Sequence, residues 1–173
     1  MAVNSTPPSD TGRPADTGID TVVVAVAEDT PERVVESALT VAADHDADLH
    51  ALSVVRMTAG VDHWDMVVER REDDAETALD TAADAAATSA HVDLTKHLRY
   101  GDPADEIAAY ADAVDADLVV LGDPDRSGLR RLLTPATVTA RVRRRTTTPV
   151  LAVADDTATP IDGSLHLGGD TPA

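Results

Sequence analysis

The residues with the most chemistry in the least space are Gly122-Asp123-Pro124-Asp125-Arg126-Ser127-Gly128, followed by Arg130, Arg131 and a helix start at Thr134-Pro135-Ala136-Thr137. Glycine lets an anion approach the backbone and accepts positive φ. Hydroxyls and the amides at a helix start donate to the anion, and guanidinium groups neutralise it. Gly122, Arg126, Ser127, Gly128 and Thr137 are therefore the candidates for an anion site. Opposing them, Asp123 and Asp125 put negative charge where a phosphate would sit, and Pro135 removes one N–H from the helix start. The amides of Ala136 and Thr137 and the Thr137 hydroxyl remain, so the expected anion site is reduced and not abolished.

Other chemistries find less support. The chain has no cysteine, which excludes a disulfide framework, thiolate metal ligation and a cysteine nucleophile. Neither a Gly-Lys-Ser/Thr phosphate loop nor a Gly-x-Ser-x-Gly nucleophile turn occurs. The six histidines show no ligand spacing. Asp44, Asp46 and Asp48 imitate the start of a calcium loop, but Leu49 stands where that loop needs glycine and Val55 where it needs a bidentate glutamate, so a solvated turn is expected. The His63-Trp64-Asp65 cluster reads as a cover over the fold, not a substrate platform. No metal site and no catalytic residue are expected.

Charge narrows the partners. With 14 basic and 32 acidic side chains the formal net charge is −18, and Lys96 is the one lysine among 13 arginines. Such a surface repels itself at low salt, whereas at about 1 M salt the Debye length falls to about 3 Å and the repulsion is screened. A salt-adapted cytoplasm is the expected setting. Nucleic acid is excluded as a partner, because the one dense basic cluster is Arg141 to Arg145. No apolar run approaches the roughly 20 residues that cross a bilayer, and Met1 to Asp20 lacks the basic and hydrophobic parts of a secretory leader.

These groups need a scaffold. Residues 1–19 and 155–173 are rich in Pro, Gly, Ser, Thr and Asp without periodicity and are expected to be disordered tails, leaving one domain over 20–154. Four apolar runs, Thr21 to Ala27, Leu49 to Val55, Asp117 to Gly122 and Pro149 to Ala154, predict strands covered on both faces. Val92 to Tyr100 alternates, with Val92, Leu94, Leu98 and Tyr100 on one side and Asp93, Thr95, His97 and Arg99 on the polar side, which predicts an exposed edge strand.

Helical patterns separate the strands. Val34, Ala38, Val41 and Ala42 mark the first inner face. Ala75, Ala78, Leu79, Ala82 and Ala86 mark the second, and Ile107, Ala111 and Val114 the third; Val138 and Val142 mark the fourth. Thr30-Pro31, Asp102-Pro103 and Thr134-Pro135 each place a capping oxygen before a first-turn proline. Arg143, Arg144 and Arg145 fall where cations complement a helix C-terminus. Alternating strands and helices imply an α/β fold, an open, doubly wound parallel five-stranded sheet with helices on both faces. Ligands bind such sheets outside the carboxyl ends of the strands where strand order reverses, which directs attention to the loops after the first and fourth strands.

Taken with Val22 to Val26, Gly101-Asp102-Pro103, Ala116-Asp117-Leu118-Val119-Val120-Leu121-Gly122 and Pro149-Val150-Leu151-Ala152-Val153, the Gly122 loop resembles the universal stress protein family over about residues 20–154. The resemblance implies strand order 3-2-1-4-5, a homodimer through the last strand, and a cytoplasmic protein of stress survival, of which some members bind ATP. The family's nucleotide pattern is Gly, two residues, Gly, nine residues, then Gly and Ser or Thr. Gly122 matches its first position, Asp125 replaces its second glycine, and counting back from Pro149 puts Ala136 on the third glycine and Thr137 on the hydroxyl. Ala27 replaces the acidic residue that usually follows the first strand, and Val54 falls where the family places a backbone contact to adenine. The expected protein is a non-enzymatic regulatory or protective homodimer, paired through Pro149 to Ala154, with a degraded ATP motif and no cofactor. The alternative is a nucleotide sensor or slow ATPase that binds ATP with Mg2+.

Overall fold

The computed structural model describes residues 18–57, 65–89, 92–123 and 137–154. In chain order the elements are β1 (Thr21–Ala25), α1 (Glu32–His45), β2 (Asp48–Arg56), α2 (Asp65–Thr88), β3 (Leu94–Gly101), α3 (Pro103–Ala113), β4 (Leu118–Asp123), α4 (Val138–Val142) and β5 (Val150–Ala154). The five strands form one sheet in the order β3-β2-β1-β4-β5, with every neighbouring pair parallel. Parallel neighbours need crossovers, and the crossovers put helices on both faces.

Two apolar cores result. Val22 and Val24 of β1, Leu49 and Ala51 of β2 and Val120 of β4 pack under α1 and α2, against Val34, Ala38, Leu79, Ala82 and Ala86. The opposite face, with Val23, Leu52, Val119 and Leu121, packs under α3 and α4 against Ala104, Ile107, Tyr110 and Val142. Alternation along each strand sends consecutive valines to opposite cores, which is why an unbroken Val run suits β1. The alanine face of α2 lets that helix lie close over β2. Ile19 packs against the first core. It therefore does not belong to the tail assigned to residues 1–19, because an aliphatic side chain beside the start of β1 gains by leaving water. The remaining tail residues, 1–17 and 155–173, lie outside the described residues.

Local chemistry fixes the joints. Both the Asp20 and Thr21 amides donate to Asp117 Oδ2, each at 2.9 Å, tying the start of β1 to the start of β4. Gly101 turns the chain from β3 into α3 at φ +146, and a Cβ there would meet the Glu106 carboxylate oxygen at 2.9 Å. Asp102 caps α3, accepting from the Ala104 and Asp105 amides at 3.0 and 3.3 Å, with Pro103 in the first turn. Asp46 ends α1 in the left-handed region at φ 55, donating its N–H to the Ala42 carbonyl, so the expected turn is confined to residues 46 and 47, with Asp44 in the last turn of α1 and Asp48 at the start of β2.

Two expectations are corrected. Thr30 does not cap α1; its hydroxyl accepts from the Ala27 amide at 2.8 Å and closes the preceding turn, leaving Pro31 at the cap position without a side-chain bond. His97 does not lie on a solvated polar side of β3. α3 closes over β2 and β3 at this point and half-covers the ring, whereas β3 is the exposed edge strand expected, with Thr95 and Arg99 of the same side in solvent.

Candidate functional site

At the carboxyl ends of β1, β2 and β4 lies a cleft of about 440 Å3. This is where strand order reverses, because the chain leaves β1 toward one face of the sheet and enters β4 from the other. Its floor is apolar: Ala25, Leu52, Val54 and Leu121, with Ile107 and Pro103 of α3 as one wall. Asp29, Thr30, Arg56, Asp123, Thr137 and Thr139 supply the polar groups. Asp29, Asp123 and Arg56 form no ion pair among the described residues. Among the described lining residues, then, two carboxylates and one guanidinium carry the charge.

The hydroxyls in the cleft are tied to the backbone. Thr137 caps α4 by accepting from the Ala140 amide at 3.1 Å, which leaves its own O–H proton available. Thr139, only 3% exposed, donates to the Gly122 carbonyl at 3.0 Å and thereby holds the end of β4 against α4. Gly122 itself lies in β4, paired in register with Val153, and a Cβ there would meet Val34 at 3.5 Å and Pro31 at 3.8 Å, ordinary contacts. Among the described residues, then, neither a positive φ nor crowding requires glycine at 122.

A second clamp fastens α4 to α3. Arg141 Nη2 donates to Asp102 Oδ1 at 2.6 Å, and Arg145 pairs with Asp105. The arginines in and after α4 therefore do more than complement its C-terminus. They hold the acidic first turn of α3, and Arg143 donates to the Val150 carbonyl at 3.4 Å. The Arg141 hydrogen bond, aided by the Asp105 and Ala104 amides, holds the Asp102 carboxyl below the usual carboxylate range. A carboxyl whose folded pKa is depressed stabilises the protein above its unfolded pKa, and that contribution disappears as pH falls through the folded value. Acid titration of wild type and Asp102→Asn should therefore diverge above about pH 4 and converge below it. Parallel curves over the whole range would dismiss the clamp as a source of stability.

The architecture can be compared with known proteins at this point. A family model described as the universal stress protein family matches residues 18–154. The chain belongs to the universal stress protein family. A universal stress protein of Methanocaldococcus jannaschii is 29% identical over 124 residues, which is 67% of this chain and 70% of that protein. UspA from Lactobacillus plantarum is similar in fold, with a TM-score of 0.66 and 23% identity, over 79% of this chain and 98% of that one. A crystal structure of a universal stress protein in complex with cAMP matches with a TM-score of 0.61 and 28% identity, again over 79% of this chain and 98% of that one.

Within this universal stress protein the sequence-derived site residues are divided. Val54, Gly122 and Thr137 all line the cleft, brought together from β2, β4 and the start of α4. Arg126, Ser127 and Gly128, along with Asp125, Pro135 and Ala136, lie outside the described residues, as do His63 and Trp64. Ala27, where the family carries an acidic residue, lines the cleft, and Asp29 two positions on brings a carboxylate there instead. Sequence reasoning passed over Arg56, Asp29 and Thr139. A basic residue directly after the run Leu49 to Val55 marks Arg56, and alternate hydroxyls at 137 and 139 are the signal that was available for Thr139. No described helix is long and apolar enough to cross a membrane.

Proposed function

We propose that this universal stress protein is a regulatory or protective module without catalytic activity, and that its cleft takes an adenine nucleotide of low charge in preference to a triphosphate. The lining of the cleft carries the reading: an apolar floor suits a nucleobase and ribose edge, while among the described residues Asp29 and Asp123 with Arg56 give no surplus of positive charge for three phosphates. The cAMP complex of a relative supports the ligand class. The occupied hydroxyl of Thr139 and the capping role of Thr137 support a binding role over nucleophilic catalysis, which needs a hydroxyl poised beside a base.

The working unit is a cytoplasmic homodimer in a salt-adapted cell. Among the described residues β5 pairs with β4 alone, and it carries the exposed Leu151, so antiparallel pairing with a second copy would cover the edge. Calorimetry in molar KCl with AMP, cAMP and Mg-ATP tests the ligand reading. AMP or cAMP is expected to bind at least about tenfold more tightly than Mg-ATP, a difference of about 1.4 kcal/mol. Tighter binding of Mg-ATP, or its turnover, transfers the assignment to an ATP sensor or slow ATPase. Light scattering of the same sample should give twice the 18.1 kDa chain mass.

A further inference from the structure

Away from the cleft, on the face of the sheet covered by α3, three titratable rings meet. His50 of β2 and His97 of β3 stack with centroids 5.2 Å apart at 22°. Tyr110 of α3 closes over both, 6.0 Å from His50 and 4.8 Å from His97, and its hydroxyl shares a 2.8 Å hydrogen bond with His50 Nδ1. Arg99 lies over the Tyr110 ring at 5.3 Å. His97 Nε2 is buried and has no hydrogen-bond partner among the described residues. Tyr110 is only 4% exposed, so these rings are a main attachment of the C-terminal half of α3 to the sheet edge.

The helix links this attachment to the cleft. Pro103 and Ile107 form the cleft wall, and Tyr110 stands one turn beyond Ile107 on the same rigid element. We propose that the His50–His97–Tyr110 stack is an acid-released latch, which holds α3 and its cleft wall on the sheet while His97 is neutral and loosens them when His97 takes up a proton.

The charges around His97 support this. Burial, His50 and Arg99 all disfavour its charged form, in that order, and lower its pKa below the ordinary imidazole value. Of the carboxylates on the packed elements, Asp102 pairs with Arg141, Asp105 pairs with Arg145 and Asp112 accepts from Thr146, while Glu106 lies beside Gly101 and Asp48 and Asp93 are exposed at the strand starts; none of them is among the charges that act on His97. Lys96 projects to the other side of β3 and pairs with Asp80 of α2. Tyr110, whose pKa is raised chiefly by burial, remains a neutral phenol over this range. An imidazolium at 97 would therefore face a second imidazole and a guanidinium with no counter-charge among the described residues.

The sign follows from proton linkage. A base whose folded pKa is depressed stabilises the fold above its unfolded pKa, about 6.5 for histidine, and loses that stabilisation as pH falls toward the folded value. Hydrogen exchange of the full chain at fixed molar KCl, corrected for intrinsic rates, is to be compared at pH 7.5 and 5.0. α3 amides such as Ile107 and Ala111 should open more at the lower pH, about tenfold for a His97 pKa depressed by one unit and at most about thirtyfold at pH 5.0, while Val22 to Val24 of β1 stay protected. His97→Phe keeps a ring in the stack and should flatten the α3 response.

Should that variant not fold, an NMR titration of wild-type His97 decides, with a midpoint below the ordinary value matching that of α3 opening as the supporting result. A midpoint at or above the ordinary value, unchanged α3 exchange, or the same loss in His97→Phe would overturn the latch. No nucleotide enters the experiment, so its outcome is independent of the cleft's ligand.

Discussion

Leu52→Ala is expected to lower folding stability by about 2–5 kcal/mol. Leu52 is fully buried, lies on the α3 face of β2 and is at once part of the second core and part of the cleft floor. Its backbone carbonyl accepts from Val26, so the strand itself should stay in place when the side chain is cut back. What is lost is the apolar surface between β2 and Ile107, plus the contacts of the cavity left behind. The open cleft beside it lets water or neighbouring groups enter part of that space, which favours the lower half of the range. Guanidinium unfolding should show the change as a shifted midpoint at constant slope. A loss below about 1 kcal/mol would mean that α3 does not depend on this residue for its seat.

Thr139→Val should cost about 1–3 kcal/mol and disturb ligand binding more than its size suggests. Valine keeps the shape of threonine but cannot donate to the Gly122 carbonyl, leaving a half-buried acceptor unsatisfied where β4 ends at the cleft. The same bond holds α4 against β4, so the position of Thr137 is also released. Thr139→Ser restores the donor with one methyl fewer and should recover most of the stability. Urea denaturation of the pair, with calorimetry using AMP, separates hydrogen bonding from packing. Equal losses in the valine and serine variants would assign the effect to the missing methyl and remove the hydrogen bond from the account.

The legible parts of this fold were those written in local pattern. Continuous valine in β1 announced a strand buried on both faces, the alanine face of α2 announced the side that packs on the sheet, and Asp102-Pro103 announced a capped helix start. The same local reading failed at Thr30. A threonine before a proline has two backbone groups within reach, and here the Ala27 amide took the hydroxyl. It failed at His97 for a different reason, since alternation reports which side of a strand a residue occupies and not whether a helix will later cover that side.

The candidate site divides in the same way. Gly122 and Thr137 stood out by residue type and family pattern, and both reach the cleft. Arg56 and Asp29 did not stand out, because each is an ordinary polar residue at the end of an element until β1, β2 and β4 are laid side by side.

The sequence by itself determined the alternation of strands and helices, the family, the acidic surface and the faces on which each helix is apolar, because these depend on residue chemistry and on periods of two and 3.6 residues. Tertiary structure alone decided which residues separated along the chain share a space: Arg141 with Asp102, Thr139 with Gly122, and His50 with His97 and Tyr110. Such pairings depend on strand register and on how α3 and α4 settle over the sheet, which only the summed packing of both cores fixes.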